Sequence, residues 1–360
     1  MMDYLILMGV LRPMKTKDLK YILETFANVI KIQPLRPITS FVECFCKDGI
    51  FRIGCTSGDC KIIGTLLDQD EMDNIVLDRE QLLKILKLTN KEDIKFIRKD
   101  KYVALRGCGN YKLPIQCDET GTQVQLNLRM PVMENGIHCE IEPLQEVFSR
   151  NSICLYDGDD YDFFKQYYCE NGKVFTTDVA KACTTKAILP QQLLPAKLMK
   201  QLSFLDKPIV FSKTEQGARV DSGIFQMYFM YDDPLEYPVD MVRPFMNTDW
   251  AEFSFTLEKS ELVNALKRLS IFTKPWQKGK VILTFTENSV TLLGENQDVN
   301  ETIDVKLKGN PCRMVTSAEE MLIVLRKVNN EFVIHGSQKC IGFEDNLSLY
   351  VLSLITEEEY

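Results

Sequence analysis

Six amphipathic helical patterns recur along the 360-residue chain, beginning near Lys17, Asp78, Glu142, Pro195, Glu258 and Ser317. Their starts lie roughly 60 residues apart, a period that points to a repeated supersecondary unit. The segment Phe253 to Gly309 shows that unit most clearly. An alternating run, Phe253 to Leu257, leads into a helix with Leu262, Ala265, Leu266 and Leu269 on one face and Lys259, Asn264, Lys267 and Arg268 on the other. Strand-like runs follow at Val281–Thr286, Ser289–Leu293 and Thr302–Leu307, separated by polar turns. One such unit leaves sheet edges uncovered, so it is expected to pack against copies of itself.

The same plan is legible elsewhere. Leu19, Ile22, Leu23, Phe26, Val29 and Ile30 line one side of the first helix. Asp78 is placed to cap the second, with Gln81 set to reach back, and Ser317 with Glu320 forms a capping box before the last. Strands are expected at Phe41–Cys46, Ile50–Cys55, Ile94–Arg98, Tyr102–Arg106 and Gly223–Tyr231. Two helices per module and polar stretches at Cys117–Thr122 and Asn247–Asp249 predict three similar α+β domains, 1–118, 119–247 and 248–360.

Charge is unevenly spread. The chain carries a net −8, yet the six helical segments hold 17 Lys and Arg against 11 Asp and Glu. Helices lining one surface would make it mildly cationic, enough to hold a phosphate backbone without reading sequence. No phosphate loop of the form Gly-x-x-x-x-Gly-Lys-Ser/Thr occurs, and the acidic cluster Asp157, Asp159, Asp160, Asp162 lacks a calcium-loop pattern. His138-Cys139 does not by itself set a base against a thiol. The twelve cysteines include no CxxC pair, Cys44-x-Cys46 with Cys55 and Cys60 matches no common zinc spacing, and alternation places Cys44 and Cys46 on one strand face, so buried free thiols are expected. A non-enzyme without metal or cofactor is expected. The apolar run Tyr4–Leu11 is too short to span a bilayer and lacks signal-peptide features, so a cytoplasmic protein with reduced thiols is expected.

From about Met14 to Ile355 the chain resembles the bacterial β-type sliding clamp. The likeness rests on KDLKYILETFANVIKIQPLRPITSFVECF, on QYYCENGKVFTTDVAKA, on Tyr237-Pro238, and most closely on FTLEKSELVNALKRLSIF and GENQDVNETIDVKL. The resemblance implies a DNA-clamp fold of three similar domains, each with two helices packed on antiparallel sheets. Two chains would close head to tail into a homodimeric ring around double-stranded DNA, its helices lining the hole. Such a ring tethers a DNA polymerase, a clamp loader and other peptide-motif proteins. An adaptor or inhibitor derived from a clamp, binding replication proteins without encircling DNA, is the alternative.

Carried onto this sequence, the resemblance implies a DNA-contact loop at Lys165, Gln166, Tyr167 and Tyr168, with at least one tyrosine expected in the core. Lys31 and Arg36 flank Gln33, where the family often has arginine. Inner-face cations would be Lys20, Lys84, Lys87, Lys197, Lys200, Lys267 and Arg268. Ile271 and Phe272 would meet Tyr111 of a second copy at the ring joint. The partner-peptide pocket would comprise Thr177, Val179, Ala180, Lys181, Pro238, Val242, Val351, Ser353, Leu354 and Ile355. There the family's Gly-His-Arg-Leu is Val179-Ala180-Lys181-Ala182, the pocket methionines are replaced, and a tail, Thr356–Tyr360, extends past the usual end. An altered peptide preference, or a pocket covered by the tail, is expected.

Overall fold

The computed structural model describes residues 14–67, 71–107, 109–272, 279–294, 299–310 and 312–355. The tail Thr356–Tyr360 and the run Tyr4–Leu11 lie outside them. The chain is α+β, with antiparallel strand pairing throughout the described sheets. It resolves into two compact units: residues 1–141 with 201–233, and residues 142–200 with 234–360.

In the first unit, eight strands run in the order Met72–Asp78, Phe41–Lys47, Ile50–Thr56, Cys60–Leu66, Phe225–Met230, Gly217–Ser222, Ile209–Thr214, Ile137–Cys139. A second sheet orders Met14–Lys15, Asp93–Arg98, Tyr102–Arg106 and Asn110–Pro114. Helices Thr16–Val29 and Arg79–Lys87 pack on each other. Their apolar faces, Leu19, Ile22, Leu23 and Phe26 on one and Leu82 and Leu86 on the other, are fully buried. Asp78 Oδ1 accepts from Gln81 N at 2.6 Å and starts the second helix as its sequence predicts.

The second unit repeats the arrangement. Its larger sheet orders Leu193–Pro195, Gln166–Glu170, Lys173–Thr177, Lys181–Lys186, Ser348–Ser353, Cys340–Glu344, Val333–Gly336, Phe253–Phe255 and Lys308–Gly309. A four-stranded sheet orders Asn300–Asp304, Ser289–Gly294, Lys280–Phe285 and Arg313–Ser317. Helices Lys259–Ser270 and Ala318–Leu325 close over a core containing Leu262, Leu266, Leu283, Phe285, Met321 and Val324. Ser317 Oγ accepts from Glu320 N at 3.2 Å, but the Glu320 carboxylate is paired to Lys181 Nζ at 3.1 Å. A further one-turn helix, Val239–Val242, has no counterpart in the sequence reading, because four residues after a proline carry too little periodicity.

The split has a plain cause. Strands from the middle of the chain feed both large sheets: Phe225–Met230 pairs with Cys60–Leu66, and Lys181–Lys186 pairs with Ser348–Ser353. Backbone hydrogen bonding therefore runs through the predicted module boundaries in each unit.

Close strand approach fixes some glycines. Gly217 has φ +147°, and a Cβ there would lie 1.8 Å from Phe229 O. Gly217→Ala should destabilise the first unit by about 1–3 kcal/mol or more, read as a lowered urea midpoint. An unchanged midpoint would show that the hairpin can shift to admit the methyl group.

Candidate functional site: an aromatic cleft, a cationic helix set and two sheet edges

A cleft of about 300 Å³ opens in the second unit. One wall comes from Thr177, Val179, Ala180, Lys181 and Ala182, at the turn between two strands of the large sheet. Val351, Ser353, Lys339 and Cys340 supply the second wall, and Met241, Val242 and Phe245 a third. Tyr161, Phe163, Phe164 and Phe175 complete the lining. Behind them Tyr168 and Tyr237 stack with centroids 5.0 Å apart and planes 5° apart. Tyr237 meets Phe164 and Phe175 edge-on, so the cleft backs onto a rigid aromatic cluster.

The cleft is mostly apolar, with its charge locked at the edge. Lys181 Nζ sits 2.6 Å from Asp178 Oδ2 and 3.1 Å from Glu320 Oε2. Burial works against its charge, yet those two carboxylates hold its pKa above the usual lysine value. Such a surface suits an apolar side chain anchored in a groove with backbone polar groups at the rim.

Of the ten expected pocket residues, seven line this cleft: Thr177, Val179, Ala180, Lys181, Val242, Val351 and Ser353. Pro238 instead lines a neighbouring depression with Phe163, Glu236, Tyr237, Val239, Asp240 and Met241. Leu354 and Ile355 do not line it. Leu354 packs against the core of the last module, and their backbone N–H groups donate to Lys339 O and Val315 O. The aromatic residues Tyr161, Phe163, Phe164, Phe175 and Phe245 were missed by sequence reasoning. The density of rings in YDFFKQYY was the available signal.

The expected contact loop needs correction. Gln166, Tyr167 and Tyr168 belong to a strand, Gln166–Glu170, and all three are buried. Gln166 Nε2 donates to Leu235 O, and burial raises the pKa of Tyr167 well above the ordinary phenol value. The reason is position: this strand is hydrogen-bonded on both edges, between Leu193–Pro195 and Lys173–Thr177, and Tyr168 on it packs into the cluster of Phe164, Phe175 and Tyr237. Lys165, just before it, is half-exposed and paired with Asp162 at 2.8 Å.

The remaining expected cations lie on or beside helices. Lys20 is half-exposed, and Lys31 is exposed with its Nζ on Ala27 O. Arg36 is exposed and donates to Ser57 O at 3.4 Å. Lys84 and Lys87 meet Glu80 and Glu24 at 3.1 and 4.0 Å, and Arg268 meets Glu301 at 2.5 Å. Lys197, Lys200 and Lys267 are exposed. Solvated pairs of this kind are weak and can exchange partners.

The expected joint residues lie on one sheet edge and at one helix end. Tyr111 stands on the edge strand Asn110–Pro114 and is 44% exposed. Ile271 and Phe272 follow the helix Lys259–Ser270 and are 76% and 61% exposed, in the module whose small sheet ends at Asn300–Asp304. Large apolar side chains left this open beside sheet edges invite a covering partner.

Among the described residues no group of three or more His, Cys, Asp or Glu is placed to hold a metal ion. Cys44, Cys46, Cys55 and Cys60 are buried, and burial pushes Cys55 up to about 12 although Arg79 opposes it. No described helix is long and apolar enough to cross a membrane.

This fold, two large antiparallel sheets flanked by small sheets and paired helices, is that of a bacterial β-type DNA sliding clamp. More particularly, solved structures of DNA polymerase III beta subunits and sliding clamps match nearly the whole chain. The Pseudomonas aeruginosa sliding clamp superposes with a TM-score of 0.80 at 14% identity, over 96% of this chain and 99% of its own. The DNA polymerase III beta subunit of Thermotoga maritima gives 0.78 at 14% identity, over 96% and 98%. The sliding clamp of Caulobacter crescentus gives 0.77 at 14% identity, over 96% and 99%. No family model matches the chain, and no curated protein matches it in sequence.

Proposed function

We propose that two copies of this chain join head to tail into a ring that encircles double-stranded DNA and tethers a polymerase to it. The observation that carries this reading is the clamp fold over some 96% of the chain. Each copy would contribute three domains, 1–118, 119–247 and 248–360, so that six modules surround the duplex. The small-sheet edges would supply the joint. Tyr111 and Lys112 on Asn110–Pro114 would meet Ile271, Phe272 and Asp304 of the second copy, apolar against apolar and cation against carboxylate.

Lys20, Lys31, Arg36, Lys84, Lys87, Lys165, Lys197, Lys200, Lys267 and Arg268 would face the phosphates. A protein of net −8 holds DNA by enclosure rather than by tight contact, and weak, exchangeable ion pairs leave it free to slide. The aromatic cleft would receive a short peptide from the polymerase, the clamp loader or another partner. The chain's role is mechanical, with no reaction assigned to it, and its place is the cytoplasm.

A nicked circular plasmid incubated with the protein, a bacterial clamp loader and ATP, then gel-filtered at high salt, tests this. Protein should stay with the circle and be lost once the plasmid is linearised. Equal retention on both forms would mean ordinary DNA binding, and retention on neither would contradict encirclement.

A further inference from the structure

The turn Thr177–Lys181 forms one rim of the cleft, and Val179 in it has φ +80°. A β-branched residue in the left-handed region is disfavoured, because its Cβ crowds the backbone carbonyl. The turn is nevertheless held from several sides. Thr177 Oγ1 accepts from Val179 N at 3.0 Å and donates to Lys181 O at 2.9 Å. Asp178 Oδ1 accepts from the N–H groups of Ala180 and Lys181 at 3.0 and 2.8 Å. Ser353 N donates to Ala180 O at 2.9 Å, fastening the turn to the neighbouring strand.

None of these bonds uses the Val179 side chain, so glycine could keep all of them without the strain. Val179 is 55% exposed and lines the cleft, as do the exposed Met241 and Phe245. A strained position retained where a ligand would seat points to a side chain that is used there. The interior is already narrowed by the rings of Phe163, Phe164 and Phe175, so a branched group at the rim removes further width.

We propose that Val179 is a specificity-determining residue of the cleft: its isopropyl group, held at the mouth by the strained turn, touches the bound peptide and admits slender aliphatic side chains in preference to broad aromatic ones. This rests on reading the cleft as a peptide pocket. The test uses the full chain as wild type, V179A and V179G, with fluorescently labelled pentapeptides carrying Leu, Phe or Trp at one apolar position. Wild type should bind the Leu peptide about tenfold more tightly than the Trp peptide, V179G less than about threefold, and V179A should fall between. The melting temperature of V179G should not fall, since relief of the strained φ offsets the added freedom of unfolded glycine. An unchanged Leu-to-Trp ratio in V179G, or a lowered melting temperature, overturns the proposal while leaving the pocket in place. A folded wild-type chain that binds none of the peptides overturns the pocket reading itself.

Discussion

Replacing Arg150 by Met should lower the stability of the second unit by about 3–5 kcal/mol, because it strips a buried carboxylate of its counter-ion. Arg150 Nη1 lies 2.8 Å from Asp345 Oδ2, and the Asp345 side chain is wholly buried. The same guanidinium donates to Lys327 O at 3.3 Å, to Asn329 Oδ1 at 3.2 Å and to Glu146 Oε1. Next in the chain, Asn151 Nδ2 donates to Val174 O, Thr176 Oγ1 and Cys183 O, and Asn151 Oδ1 accepts from Thr185 Oγ1 at 2.6 Å. The end of the helix Ile141–Asn151 thus bolts the strands behind the cleft to the last module.

Burial alone would raise the pKa of Asp345, but the N–H groups of Asn329, Leu347 and Ser348 and the Arg150 guanidinium hold it below the usual carboxylate value. A carboxyl depressed in the folded state contributes stability above its unfolded pKa of about 4, and that contribution is lost as pH falls through the folded value. Urea melts of wild type should therefore weaken below about pH 4, and Asp345→Asn should flatten that acid limb. Arg150→Met should be destabilised already at neutral pH and should bind cleft peptides more weakly. A melt of Arg150→Met that coincides with wild type would show that the carboxylate has another route to compensation.

The second large effect is expected at the proposed joint. Changing Phe272 to Glu places a charge where a 61% exposed ring would be covered by a second copy. Burial of an unpaired carboxylate in an interface costs several kcal/mol, so dimer dissociation should rise by about a hundredfold or more. Ile271→Ala should act in the same direction and more mildly, by about tenfold, through lost apolar area alone. Sedimentation velocity reads both, with a wild-type dimer near twice 41.5 kDa. Phe272 follows the buried helix face and is not part of it, so the monomeric variant should keep its melting temperature. Loss of the dimer together with loss of fold would instead make Phe272 a core residue.

Local signals carried much of this fold into view. The helix Lys259–Ser270, the strands on either side of it and the caps at Asp78 and Ser317 follow from periodicity and from residues two or three positions apart. What stayed hidden depends on contacts between distant segments. That Gln166–Glu170 is an interior strand follows from its pairing with Lys173–Thr177 and Leu193–Pro195, which no short window reports; Tyr167 and Tyr168 read equally well as surface aromatics. The cleft gathers Phe164, Phe175, Phe245 and Val351 from four separated stretches, each apolar enough to pass for ordinary core. The stretch Val179 to Ala182 was legible as a departure from the family pattern, but the positive φ of Val179 was not, since a β-branched residue rarely adopts it.

Encirclement can be read directly with the photo-crosslinker p-benzoylphenylalanine in place of Tyr111. Irradiation after loading should join the two copies covalently at both edges. The closed ring should then stay on a nicked circular plasmid through denaturation in SDS, and should be absent from the same plasmid linearised beforehand. Cross-linked dimers that leave the circle in SDS, or that cling equally to linear DNA, would contradict a ring around the duplex.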